Sequence, residues 1–542
     1  MAAGWSVIRS PVEKTAAAGE RCHSPMLTRC ASILACCVCC VAAAPCPAQP
    51  DYWPTAGWRV SAPEEQGVDS AQLAATMDFL TGKGPLLHSL LVIRHGYVIL
   101  DAYFHPFRSD ALHDVASVTK SVTSTLVGIA LDKGLLDGVQ QTVLPLFPDR
   151  PVANRDARKE AMTLENLLTM TGGNECVNSP TEVTLTQMMS SPDWIQFMLD
   201  LPMTGEPGGR FEYSSGGVHL LSAIVRRATG KTALAFAQEH LFGPLGIDGV
   251  VWPMDPRGLD NHGWGDLKMR PHDMAKLGFL FLHKGQWDGQ EVVSAEWVRA
   301  ATAQHVATGS EEYSQYGYLW WLREPGGFSA VGRGYQRIFV MPEQDLVVVV
   351  TAATGGLAKG KLRELLPGYL LPALRSNTPL PPNPDAVARL EARVQEAAEA
   401  SPEPEPVPPL PELAKRISGI SYKLDPNPIA LSRVLFRFDE DKPEAVFELT
   451  QGGGAAGGET VAFAVGLDNV YRFSPGRAGL PAAAKGTWKG EDRFLLDLDE
   501  IGNINRWRIQ FTFEGDRLTA RMWERNGLGE VRVTGKQTRQ PE

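Results

Sequence analysis

The sequence predicts an α/β (α+β) domain, an antiparallel sheet flanked by helices, followed by a small all-β domain that closes as a barrel or a sandwich. Three observations predict it. Strand-like runs stand at 90–100 and 345–351, and the patterns between them are mostly helical, so distant parts of the chain complete one sheet. A Pro-rich stretch over 377–413, holding a short Ala/Glu-rich helix and then Pro402-Glu403-Pro404-Glu405-Pro406, reads as a semi-rigid linker. Beyond it Trp507, Ile509, Phe511 and Phe513 alternate, Glu514-Gly515-Asp516 turns, and Leu518, Ala520 and Met522 alternate back, which is a hairpin. The expected division is 1–48 leader and extension, 49–375 first domain, 376–414 linker and 415–542 β domain.

Taken in order, 49–63 is an extended lead-in. Leu73, Met77 and Leu80 place a helix over 69–81. Residues 90–100 form two strands around a His95-Gly96 turn. Val118, Val122, Leu126 and Ile129 make one helix face, which Asp132-Lys133-Gly134 ends. Thr163 to Asn166 approximates a capping box on a short helix that Gly172-Gly173 follows. A polar loop at 211–217 opens onto a helix with Val218, Leu221 and Val225 on one face. Helices follow over 236–245 and 273–282. Residues 330–336 are a glycine-broken strand, 345–351 a buried strand, and 361–374 a closing helix.

The 542 residues exceed one ordinary domain, and an apolar share of 44% supports a sizeable core. The net charge of −10 comes without a basic patch, which argues against a nucleic-acid partner. Cys22, Cys30, Cys36, Cys37, Cys39, Cys40 and Cys46 crowd the start, and Cys176 stands alone beyond. Arg29, an apolar run over 30–44 and small residues up to Ala48 read as a secretory signal, cleaved near Ala44 or Ala48; Met26 is an alternative start. The run is too short to span a bilayer comfortably, so no stable membrane span is expected after cleavage. The expected location is periplasmic or secreted, in a bacterial cell plan. A zinc cluster is the rival reading, but paired Cys-x-x-Cys arms with a spacer are missing and His23 is the nearby histidine. Cys176, in a polar loop, reads as an incidental thiol, because reactivity needs an activating partner.

The chemistry gathers at His113-Asp114-Val115-Ala116-Ser117-Val118-Thr119-Lys120. Ser117 starts a buried helix, and Lys120 lies one turn later on the same side, about 5–6 Å away at Cβ. A serine hydroxyl is a weak nucleophile and needs a base beside it. An amine serves as that base only when neutral, and burial and the positive end of a helix both favour the neutral form. Ser-x-x-Lys alone arises by chance in a chain this long, so its weight depends on what accompanies it. His113, His219, His262 and His272 are scattered without a His-x-x-x-His pair, so no metal site is expected. Gly-x-Ser-x-Gly and phosphate-cradling loops are missing.

Three elements follow one another: Ser117-x-x-Lys120, Tyr213-Ser214-Ser215, and Ala330-Val331-Gly332-Arg333. This order resembles the serine β-lactamase and penicillin-recognising superfamily. The likeness is greatest to its class C branch, which includes family VIII carboxylesterases and 6-aminohexanoate-dimer hydrolases. Pro63-Glu64-Glu65-Gln66-Gly67, Leu91-Val92-Ile93-Arg94-His95-Gly96 and Gly334-Tyr335-Gln336-Arg337-Ile338-Phe339-Val340 extend it over roughly 55–375. The resemblance implies a β-lactamase/transpeptidase-like domain with Ser117 as nucleophile, Lys120 as its base and Tyr213 as proton relay. It implies an oxyanion hole from the backbone N–H groups of Ser117 and Arg333, and places Ser215 and Gly332 against substrate.

Two departures matter. Ser215 stands where the family has Asn, and Ala330-Val331-Gly332 stands where it has Lys-Thr-Gly. The pocket thereby loses a fixed cation that engages carboxylates; Arg333 either replaces it or is a solvated surface residue. The expected activity is hydrolysis of a small ester or amide through an acyl-enzyme, with no cofactor. A β-lactamase or DD-peptidase is the runner-up, and a catalytically silent ligand-binding protein is the reading from another class. The β domain shows no catalytic set, so residues 1–375 are expected to hydrolyse a short ester without it.

Overall fold

The computed structural model describes residues 50–82, 87–178, 182–323, 326–355, 360–399, 403–452, 458–477, 480–524 and 529–538. The leader-like stretch 1–48 lies outside the described residues, so the signal-peptide reading does too.

A nine-stranded sheet organises the first region. Its order is Arg59–Val60, Tyr97–Tyr103, Leu87–Arg94, Leu346–Ala352, Gln336–Met341, Phe328–Gly332, Trp321–Leu322, Gln315–Tyr316 and Val306–Ala307. Every neighbouring pair is antiparallel except the first, where the lead-in adds a parallel edge. Strands from both ends of the stretch meet at its centre, where Val348 lies opposite Val92. These central strands are unbroken apolar runs because both of their faces are covered. Leu91, Ile93, Val347, Val349 and Ile338 enter one core, and Leu90, Val92, Val348, Val350 and Phe339 enter the other. The turn between the first two long strands puts His95 at φ 51° and Gly96 at φ 78°, the left-handed pair a tight hairpin needs.

On one face lie the helices Val118–Asp132, Ser215–Thr229 and Pro271–Leu282. The capping box is present: Asn166 N–H donates to Thr163 Oγ1 (3.3 Å) and Thr163 N–H donates to Asn166 Oδ1 (2.9 Å). On the other face, Ser70–Thr81 starts at Asp69, whose carboxylate accepts from the N–H groups of Ala71 and Gln72. The stretch 376–414 carries the helix Pro384–Glu399, which buries Ala386, Leu390 and Ala397; the last two join the core beside Ser70–Thr81. The closing region is helical but uneven, with a wide π-type segment at Leu365–Leu370 and a short helix at Leu371–Ala373. Pro367 and Pro372 lack the N–H groups a regular helix would use there.

The C-terminal region is a barrel. Nine strands from Ser421–Leu424 to Glu530–Gln537 form the ring, which Gly466 and Lys485 close as a parallel pair, and Arg472–Ser474 pairs beside it. The expected hairpin is present as Arg506–Glu514 and Arg517–Glu524, with Phe511 opposite Ala520 and Phe513 opposite Leu518. Phe436 sits among Phe447, Phe494 and Phe511 at ring-centroid distances of 5.0, 5.7 and 4.8 Å.

Candidate active site

The segment that carries Ser117 is held by a strained turn. Ala116 adopts φ 48°, a left-handed conformation that costs a residue with a Cβ about 1–3 kcal/mol. Three hydrogen bonds maintain it. Ala116 N–H donates to Asp114 Oδ1 (2.7 Å), while Thr119 Oγ1–H and N–H donate to Ala116 O (2.6 and 3.1 Å). The turn sets Ser117 at the cap of Val118–Asp132, half-buried and reachable.

Lys120 is 2% exposed, and its Nζ lies 2.9 Å from Ser117 Oγ. The same Nζ donates to the carbonyl of Trp264 (2.8 Å). These two contacts fix Nζ between the Trp264 carbonyl and the serine hydroxyl. Tyr213 completes the group: Nζ stands 4.8 Å from the centre of its ring, which stacks on Trp321 at 6.1 Å. Asn178 Nδ2 donates to Tyr213 O (2.6 Å) and fixes that loop, and Ser214 Oγ then caps Ser215–Thr229 by accepting from Gly217 N–H.

The third segment closes on the first. A Cβ at Gly332 would lie 2.6 Å from Val115 O and 3.1 Å from Ala116 Cβ, so only glycine lets the strand Phe328–Gly332 come this near the turn. Arg333 follows directly. Arg337 Nη1 donates to Gly332 O (2.9 Å) and Gln336 Nε2 donates to Arg333 O (3.1 Å), securing the bend.

The structure therefore brings Ser117, Lys120, Tyr213, Gly332 and Arg333 together from three distant stretches. Ser215 is 2% exposed at the start of its helix, and its Oγ has no hydrogen-bond partner among the described residues. The Cys176 thiol lies 3.2 Å from Tyr213 O, and burial raises its pKa, which suits an inert thiol.

Around this centre lies a buried polar layer. Burial, then the charge of Asp266, raises the Asp114 carboxyl to about 6. Asp266 is itself held low despite burial, because His262 Nδ1 stands 2.7 Å from Oδ2. His262 stacks on Trp264, and His219, packed between Trp194 and Trp264, is lowered to about 3 by burial. The sequence assigns no role to Asp114, Trp264 or Asp266. Trp264 acts through its carbonyl, which carries no residue signature, and the other two acquire meaning only through neighbours the fold supplies. Among the described residues, no three His, Cys, Asp or Glu side chains form a metal-binding group.

The barrel also reaches this centre. Asp114 N–H donates to Gly502 O (2.6 Å), and Arg333 Nη2 donates to Asn505 Oδ1 (3.0 Å). The barrel thus meets the first domain through contacts that no hairpin pattern encodes.

The β-lactamase family model matches residues 88–365, more than half of the chain. The chain belongs to the β-lactamase family. It is a serine hydrolase of that family, and the Ser-x-x-Lys pair lies inside the matched region. Across 282 residues it is 27% identical to the 6-aminohexanoate-dimer hydrolase of Paenarthrobacter ureafaciens, covering 48% of this chain and 71% of the relative. A family VIII carboxylesterase structure aligns with 56% of this chain and 97% of its own, at 16% identity and a TM-score of 0.43. The octameric penicillin-binding protein homologue from Pyrococcus abyssi aligns with 85% of this chain and 97% of its own, at 16% identity and a TM-score of 0.41.

Proposed function

We propose that this family member is a secreted or periplasmic hydrolase that cleaves a small ester or amide through an acyl-enzyme on Ser117. The observation that carries the reading is the 2.9 Å approach of buried Lys120 Nζ to Ser117 Oγ. Ser117 Oγ attacks the substrate carbonyl carbon, and its proton passes to Lys120 Nζ. The oxyanion is held by the N–H groups of Ser117 and Arg333. The proton then moves through the Tyr213 hydroxyl to the leaving oxygen or nitrogen, whose bond to the carbonyl carbon breaks. Water enters in the second half, gives a proton back along the same path, and frees Ser117. The third segment supports ester or simple amide substrates over β-lactams, because Ala330 stands where the family places its lysine. The leader-like cysteine-rich start supports export.

The test is mass spectrometry of the protein after a fluorophosphonate, beside p-nitrophenyl butyrate and a chromogenic cephalosporin. One adduct on Ser117 with ester turnover is the expected result. Cephalosporin turnover in place of ester turnover would establish the β-lactamase reading. A folded protein with neither adduct nor turnover would leave a ligand-binding protein.

A further inference from the structure

The barrel loop between Arg493–Glu500 and Arg506–Glu514 touches both backbone segments that carry the candidate oxyanion donors. Gly502 O accepts from Asp114 N–H at 2.6 Å, and Asp114 in turn holds Ala116 in the strained turn before Ser117. Asn505 Oδ1 accepts from the Arg333 guanidinium at 3.0 Å. The fit is close on both sides: a Cβ at Gly502, where φ is 84°, would fall 2.0 Å from Leu112 O.

The loop is built to hold its shape. Ile501 and Ile504 are 3% exposed. Ile501 N–H donates to Pro481 O (2.6 Å), Asn503 N–H donates to Glu500 O (2.9 Å), and Asn505 N–H donates to Asn503 Oδ1 (2.9 Å). Asn503 Nδ2 reaches back to Glu500 Oε2 at 2.9 Å. Asn505 therefore presents its amide oxygen from a frame fixed by the barrel. Arg333 is exposed, and the bond to Asn505 lies at the surface, where it ties the bend to the barrel.

We propose that the loop 501–505 is a positioning element of the active site, with Asn505 holding the Arg333 bend and Gly502 holding the turn before Ser117. The inference rests on the acyl-enzyme reading above. It gives the barrel a part in catalysis without giving it a catalytic residue. An oxyanion donor is effective only when its N–H points at the developing charge, so slackness in either segment is felt in kcat before KM.

The experiment compares the full-length protein with Asn505→Ala, Asn505→Asp, Arg333→Ala and the double variant of Asn505→Ala with Arg333→Ala. Turnover of p-nitrophenyl butyrate and hydrogen exchange of the 332–336 backbone are both read. Asn505→Ala should lower kcat roughly ten-fold, part of the ~10²–10³ lost with a donor itself, and leave KM within about two-fold. Asn505→Asp keeps an acceptor and should restore kcat. In the Arg333→Ala background, Asn505→Ala should bring no further loss. Exchange over 332–336 should quicken in Asn505→Ala and stay unchanged in the barrel core. Unchanged kcat in Asn505→Ala, or losses that multiply in the double variant, would overturn the proposal. A wild type that neither turns over the ester nor takes the fluorophosphonate would defeat the acyl-enzyme reading instead. Exchange alone then decides: faster exchange in Asn505→Ala supports the positioning role, and unchanged exchange refutes it.

Discussion

The two regions of this chain bury very different things. Inside the hydrolase domain lie Lys120, His88, His113, His219, Asp114 and Arg337, each less than a tenth exposed. The barrel core is built from Phe436, Phe447, Phe463, Phe494, Phe511 and Phe513 with aliphatic neighbours. The barrel buries carboxylates as well, Asp497 and Asp499 among them, but pairs them with cations on the neighbouring strand: Arg506 with Asp499 and Arg508 with Asp497. A buried polar group costs stability unless its atoms find good partners, and His219 is fully buried between two tryptophan rings. The hydrolase domain gives up stability for a site, while the barrel is free to be stable and lends rigidity through one loop.

That contrast breaks most sharply at Ser117. Ser117→Ala should reduce ester turnover by ~10⁴ or more, while the thermal midpoint stays within a few degrees of wild type, measured by steady-state kinetics beside calorimetry. Substituting Phe436→Ala should do the reverse. It opens a cavity among Phe447, Phe494 and Phe511 and should cost about 3–5 kcal/mol in denaturant unfolding, with kcat per folded molecule unchanged.

Acid should separate the regions again. All the histidines lie before the barrel, the last being His305. Burial lowers His113 from 6.5 to about 4, so the folded state binds this proton more weakly than the unfolded chain. Its contribution is therefore complete above pH 6.5 and lost as the pH falls toward 4. The shift of 6.5 − 4 = 2.5 corresponds to about 3 kcal/mol. Hydrogen exchange at pH 7.5 and 4.5 should show the core strands of the hydrolase domain losing protection while the Phe-rich strands keep theirs. Equal loss in both regions would show that acid does not act through the buried histidines.

The smallest effect belongs to the barrel surface. Arg521 and Glu530 pair in full solvent, and Arg521→Ala should leave both the midpoint and the activity unchanged within error.

Much of this was legible in the chain. The helix Val118–Asp132 follows from its 3.6-residue apolar spacing, and the short helix at Leu164 from a capping box that the structure reproduces atom by atom. The hairpin Arg506–Glu514 with Arg517–Glu524 follows from strict alternation. The closing helix was legible as a helix but not as wide turns, because proline's effect depends on what packs around it. The lead-in gave no sign that Arg59 and Val60 would pair with Tyr97 and Val98, since two residues carry no period.

Local spacing is enough to pick out Ser117 and Lys120, because a single helical turn brings them together. What surrounds them is set by long-range packing. The Trp264 carbonyl on Lys120, the Gly332 backbone against Val115, and Asn505 on Arg333 join positions far apart in the chain through backbone atoms and a neutral amide. Such groups leave no pattern in a sequence, and their roles exist only once packing has set the distances.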